Sequence, residues 1–288
     1  MKRLLLCPYS YEIHDDQVGQ NPFLKPGTQV DKVAAYKAHA ELATTLKNSV
    51  FYHVHPPPAA AVTDLVFVAN GGLSLRGLPE PIVLLPSMKY PQRQRELGFV
   101  KSVLDDLHVK TIPFPTNHVF EGQAEAKWLH GGKLLICGAG TRATHESYKV
   151  LESILTSVYE AYGLPAPKLL VLTIISDEFF HLDSACFEFD DSKMVIQKRA
   201  FSPESVRDLK AALGPENVFV IDTPDAFELN AIVDGPNLIT HKLVDARLQK
   251  QLAAITGRNI KMIDTTEFEK SGGSVRCLVL DLYEPYTK

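Results

Sequence analysis

Apolar positions recur with a helical period in five stretches, and short apolar runs of strand length lie between them. Residues 31–47 carry Val33, Ala34, Ala40 and Leu42 on a mostly polar background. Residues 91–107 carry Leu97, Val100, Val103 and Leu104, with Pro91 placed for a first turn. Residues 144–162 carry Leu151, Ile154, Leu155 and Val158 behind Thr144-His145-Glu146-Ser147, which offers capping side chains. Residues 202–213 open on Ser202-Pro203-Glu204 and stop at Gly214. Residues 242–256 carry Leu243, Leu248 and Leu252 and stop before Gly257. Strands are predicted at 65–69, 82–85, 134–137, 169–174, 194–197, 218–221, 229–233, 260–263 and 275–280, and another within the opening run ahead of Cys7-Pro8.

The predicted helix centres fall roughly 40 to 60 residues apart. A helix alternating with several strands fits a βαβ sandwich, and it fits a ring of five ββαβ units; the period alone does not choose between them. No linker or low-complexity tract breaks the chain, so a single domain over 1–288 is expected.

Composition narrows the function classes. The chain has 288 residues, 45% hydrophobic and 22% charged, which is ordinary for a soluble protein with a full core. Net charge is −4 with no basic block, which argues against nucleic acid as a partner. The apolar run before Pro8 is too short for a signal peptide, and no stretch reaches the length of a membrane span. Cys7, Cys137, Cys186 and Cys277 lie far apart without a paired spacing, against a zinc site or a disulfide framework. Reduced thiols in the cytoplasm are the simplest reading.

The candidate chemistry starts at Cys277. The segment Ser271-Gly272-Gly273-Ser274-Val275-Arg276-Cys277 puts a Gly-Gly turn ahead of an apolar run, and so places the thiol at the mouth of a predicted strand. His181 stands in Phe180-His181-Leu182-Asp183, Glu121 in Phe120-Glu121-Gly122 and Asp64 in Thr63-Asp64-Leu65. Thiol, imidazole and carboxylate are the parts of an activated cysteine nucleophile. Several carboxylates around a thiol suit a cationic electrophile, and guanidinium is the obvious one.

In order along nearly the whole chain, these motifs resemble the pentein superfamily of guanidino-group-modifying enzymes. The stretches that carry the resemblance are Asp64-x-x-Phe67-x-x-Asn70, Phe120-Glu121-Gly122, His181-Leu182-Asp183 and Gly272-Gly273…Cys277. Cys7-Pro8 with Asn21-Pro22, and Gly138-Ala139-Gly140-Thr141-Arg142, are similar to the dihydrolase and amidinotransferase branch. The resemblance implies a five-bladed α/β propeller of pseudo-five-fold ββαβ repeats. It implies a nucleophile at Cys277, an acid/base at His181 and an orienting carboxylate at Glu121. Asp64 and Asp183 would grip the guanidinium, with Asn70 and Asn21 also in the substrate site. Arg142 resembles the arginine that meets a substrate carboxylate, and Arg93 is a second candidate. One departure is Glu125, where dihydrolase-type members usually carry Asp.

The expected activity is a deiminase- or dihydrolase-type hydrolase of arginine or a close relative, working through a covalent thiouronium without metal or organic cofactor. Amidinotransferase, dimethylarginine hydrolase and a non-catalytic pentein that only binds are the alternatives. Asp183 argues against a methylated substrate, because methylation removes an N–H that this carboxylate would accept. A homo-oligomer stays open.

Overall fold

The computed structural model describes residues 1–242 and 245–285. Among them the strands form five three-stranded sheets. The first unit holds β1 (Lys2–Leu6), α1 (Lys32–Thr45) and β2 (Ser49–Tyr52). The second holds β3 (Leu73–Ser74), β4 (Ile82–Leu85), α2 (Pro91–Gln94), α3 (Leu97–Asp106) and β5 (Lys110–Pro113). The third holds β6 (Ala126–Leu129), β7 (Leu134–Ala139), α4 (His145–Ala161) and β8 (Lys168–Thr173). The fourth holds α5 (Leu182–Ala185), β9 (Cys186–Asp190), β10 (Lys193–Gln197), α6 (Pro203–Leu213) and β11 (Val218–Ile221). The fifth holds β12 (Ile232–Asp234), β13 (Asn237–His241), α7 (Ala246–Thr256), β14 (Asn259–Ile263) and α8 (Thr266–Glu269).

Each sheet repeats one pattern. An antiparallel pair is followed by a crossover containing a helix to a third strand that is parallel to the second, as in β6-β7-β8. The first unit lacks its leading strand in sequence, and the C-terminal β15 (Leu280–Leu282) supplies it by pairing antiparallel to β1, Lys2 opposite Leu282. The crossover helices form where local chemistry specifies them. Asp31 accepts from the amides of Val33 and Ala34, Thr144 from Ser147, Ser202 from Ser205, and Asp245 from Arg247. Leu151, Leu155 and Tyr159 bury one stripe of α4, as its period requires.

Several boundaries differ from the sequence reading. The helix expected over 91–107 is two helices, broken around Glu96. The last crossover helix begins at Ala246; Leu243 lies outside the described residues. The strand expected over 229–233 starts at Ile232. Two expected strands are absent. Residues 65–69 form a turn leading into the 3-10 turn Val68–Gly71, and 275–279 form a turn ahead of β15. Cys277 therefore sits in a turn and not at a strand mouth. These apolar runs are buried without belonging to a ladder, and periodicity cannot distinguish the two cases. They bond to each other instead: the Ala69 amide donates to the Cys277 carbonyl at 3.1 Å. The approach is so close that a Cβ at Gly273 would collide with the Phe67 ring.

Candidate active site

Turns at the ends of the units carry the side chains singled out in the sequence. Glu121 precedes the 3-10 turn Gly122–Glu125. Gly122 allows it with φ +66°, where a Cβ would stand 2.8 Å from the Gly72 carbonyl oxygen. His181 is the N-cap residue of α5 in extended conformation, and Asp183 lies in the first turn of that helix. Asp64 and Asn70 come from the 62–71 segment, Cys277 from the 274–279 turn, Arg142 from the β7–α4 loop and Arg93 from α2. All are buried.

Glu121 and His181 form one contact, with His181 Nε2 2.6 Å from Glu121 Oε2. Arg142 donates to both oxygens of Glu121 at 2.9 and 3.2 Å and to the Gln20 carbonyl at 3.0 Å. Its guanidinium lies 4.8 Å from the Tyr90 ring centroid and 4.9 Å from that of Phe180. Burial alone would raise the Glu121 carboxyl, but the Arg142 guanidinium and the His181 contact hold it well below the usual carboxylate range. Burial lowers the His181 imidazole against the pull of Glu121. The carboxylate is thus charged and the imidazole neutral at neutral pH.

Cys277 Sγ meets the side chains of Asn230 and Asp183. Asn230 Nδ2 donates to it at 3.2 Å, and Asp183 Oδ2 lies 3.5 Å away. Burial, then the Asp183 charge, push the thiol well above its ordinary range, so it keeps its proton at neutral pH. No hydrogen bond joins Cys277 to His181 directly; the two line one cavity, together with Asp64, Asn70, Arg93, Arg142 and Asn21. Asp64 Oδ2 accepts from Gln17 Nε2 at 3.0 Å, while Asp64 Oδ1 and Asp183 Oδ1 are buried without a partner. Burial raises the Asp64 carboxyl, with Arg93 and Arg142 opposing.

The remaining candidates are engaged with the protein. Arg93 is paired with Glu96 through Nε and through the 2.8 Å contact of Nη2, and its Nη1 donates to Asn70 Oδ1 at 3.1 Å. Asn21 ties the β1–α1 segment down, donating to the Ser271 carbonyl at 3.0 Å. The cavity beneath has room for about one water, ≈ 20 Å³. Asn230 and Gln17 are contacts that sequence reasoning missed. Asn230 had a signal, a lone amide in the apolar run Leu229-Asn230-Ala231-Ile232-Val233. Gln17 had none. Oxygen and nitrogen atoms of Glu121, Glu125 and His181 lie within 4.8 Å of one another, a spacing that could hold a cation. The Arg142 guanidinium already meets Glu121 there.

Comparison with known proteins decides the family of folds. The N-terminal domain of ArgZ bound to product, described as an arginine dihydrolase of cyanobacteria, superposes with TM-score 0.83 at 24% identity, covering 99% of this chain and 98% of that one. The fold is that of the pentein superfamily. A dimethylarginine dimethylaminohydrolase adduct with S-methyl-L-thiocitrulline has the same pentein fold at TM-score 0.71 and 16% identity, over 98% of this chain and 99% of that one. In sequence, the bifunctional arginine dihydrolase/ornithine cyclodeaminase ArgZ of Synechocystis is 26% identical over 98% of this chain. The N(G),N(G)-dimethylarginine dimethylaminohydrolase of Mycobacterium tuberculosis is 29% identical over 78% of this chain and 68% of its own length. The chain spans 38% of the length of ArgZ. No family model matches it.

Proposed function

We propose that this pentein is a guanidine C–N hydrolase acting on arginine or a close relative through a covalent intermediate on Cys277. The observation that carries the reading is the pair of unpartnered carboxylate oxygens, Asp64 Oδ1 and Asp183 Oδ1, at a site whose thiol touches Asp183. A buried acceptor without a donor is costly; Asp64 lines the cavity, Asp183 touches the thiol that lines it, and a planar cation with several N–H groups is the ligand that suits such acceptors. The relatives fit this chemistry. ArgZ carries the name arginine dihydrolase, and variants of it are described as bound to substrate and as covalently joined to a reaction intermediate.

The chemistry follows from the protonation states. The bound guanidinium brings a positive charge to the thiol, offsets Asp183 and favours the thiolate. Sulfur attacks the guanidinium carbon, the C–N bond to one terminal nitrogen breaks, and ammonia leaves with the proton that the thiol gave up. His181 hands that proton on, and Glu121 stabilises the imidazolium in between. Water then attacks the thiouronium with His181 as base, releasing a ureido product and the thiol. Arg142, Asn70, Arg93 and Asn21 also line the cavity and are the further candidates for substrate contact, which each would make by exchanging part of its present bonding to Glu121, Glu96 or the backbone. A guanidino substrate is larger than this cavity, so the lining, to which Gln20 and Asn21 of the β1–α1 segment belong, has to adjust on binding. No cofactor has a part in this scheme.

The same reading takes 1–288 as one domain closed into a five-bladed ring. Support comes from β15 completing the first sheet and from Arg3, on β1, bonding the Val233 carbonyl and Asp234 of the fifth unit. The cytoplasm is the proposed location. A second reading, hydrolysis of an N-methylated arginine, is favoured by the mycobacterial relative and opposed by Asp183. The test is mass spectrometry of the protein mixed with arginine, with ammonia release assayed with and without glycine. An amidino adduct on Cys277 and glycine-independent ammonia support the hydrolase. Ammonia-free transfer to glycine would make the chain an amidinotransferase, and neither product would leave a pentein that only binds.

A further inference from the structure

Glu125 is a buried carboxyl that this scheme leaves without a task. It closes the turn that begins after Glu121 and is 1% exposed. Its Oε1 lies 3.8 Å from His181 Nε2, the nitrogen that Glu121 holds at 2.6 Å. That oxygen has no hydrogen-bond partner. Arg142 spends its contacts on Glu121 and the Gln20 carbonyl. The other titratable groups that act on Glu125 or feel it are Asp183, Cys137 and Tyr148, and none is a cation.

Two buried carboxyls therefore share one guanidinium. Glu121 takes it. A second anion beside it would be desolvated and repelled by Glu121, with only the Ala143 backbone and the already paired Arg142 guanidinium opposing, so the site stays neutral only if that carboxyl keeps a proton. We propose that Glu125 is a positioning residue, a neutral carboxylic acid that limits the Glu121–His181 pair to one negative charge and so sets the pH range in which His181 exchanges its proton. This deepens the hydrolase reading and rests on it. Burial and the Glu121 charge both push the Glu125 acid well above the carboxylate range, in the same direction as the geometry. An ionised Glu125 would place a second negative charge near Nε2, hold the imidazole charged and stop it accepting a proton from water. Activity should fall as pH climbs through the Glu125 ionisation.

Infrared spectroscopy of the full chain carrying carboxyl-13C glutamate tests the protonation without turnover. The wild type should show a protonated-acid C=O band at neutral pH that shifts with the label and is missing in Glu125→Gln. If that variant does not fold, Glu125→Asp removes the same labelled band. In kcat/KM on arginine, Glu125→Gln should hold its plateau about one pH unit further into alkali than the wild type. Glu125→Ala should lose more than about tenfold, because it leaves a hole beside the dyad. A wild type without the band, a band that survives in the variant, or superimposable pH profiles would each overturn the assignment. If arginine is not turned over at all, the infrared result still decides the state of Glu125, so the two failures stay distinct.

Discussion

Asn230 holds the Cys277 thiol and the backbone of Asp183 with one amide nitrogen, 3.2 Å from Sγ and 3.1 Å from the Asp183 carbonyl oxygen. Its oxygen accepts from the Arg276 amide at 2.7 Å, so a single side chain sets the nucleophile's turn against the helix that carries His181 and Asp183. Asn230→Ala should lower kcat by about 10- to 100-fold and leave KM less changed, because it frees the sulfur from its attack position. It should also lower stability by about 1–3 kcal/mol, since the Arg276 amide loses its acceptor. Steady-state kinetics and denaturant unfolding check this; an unchanged kcat would mean that the turn holds the sulfur unaided.

Replacing the nucleophile gives a sharper outcome. Cys277→Ser should abolish turnover while leaving the fold and much of the ligand binding intact, because a hydroxyl of nearly the same size is far less nucleophilic at neutral pH. Turnover within about tenfold of wild type, a barrier change of only about 1.4 kcal/mol, would remove Cys277 from the role.

How far such roles can be read from sequence depended on whether the chemistry was local. α4 and α6 were legible because Thr144 and Ser202 cap them within three residues and their apolar stripes keep one period. The 65–69 and 275–279 segments were not, because a continuous apolar run looks the same in a strand and in a buried turn. What fixes them is contact with each other across more than 200 residues, as in the Ala69–Cys277 hydrogen bond. The motif residues of the site were legible through resemblance. The Asn230–Cys277 and Gln17–Asp64 contacts join positions 47 residues apart in sequence, and no local pattern encodes them. Arg93 and Glu96 had the i, i+3 spacing of an ion pair on view, and the structure pairs them.

Glu121 links the site to acid stability. Its carboxyl is held below the ordinary value in the folded state, so the folded chain binds fewer protons than the unfolded one near pH 4. Its contribution is fully present above the unfolded pKa and is lost as pH falls through the depressed folded value. Glu121→Gln should therefore flatten the decline of stability below about pH 4.5, where an unperturbed glutamate titrates. Unfolding free energies at pH 7 and across the acid range check this; parallel declines in both proteins would mean that other carboxylates govern it.

The Cys277–Asp183 contact predicts a reactivity change of definite sign. Burial and then the Asp183 charge raise the thiol, so removing that charge must lower it again. In the ligand-free protein, Asp183→Asn should react faster with iodoacetamide at Cys277 at any pH below the thiol's ionisation. Equal rates would place the control of the thiol in burial alone.

Asp183 also bears on which substrate the site takes, and the same variant tests it. Its Oδ1 is buried without a donor, and its Oδ2 is beside the sulfur, so the side chain can accept two N–H groups from an unmethylated guanidinium. Methylation removes one of them and leaves a desolvated acceptor unpaired. Asp183→Asn should therefore cost more on arginine, on the order of 2–3 kcal/mol for a hydrogen bond to a charged group, than on an N-methylated arginine. The measurement is kcat/KM for both substrates in both proteins. Equal losses would make Asp183 a support for the thiol and its turn, with no part in choosing the substrate. A wild-type preference for the methylated substrate would align the chain with its mycobacterial relative instead of with ArgZ.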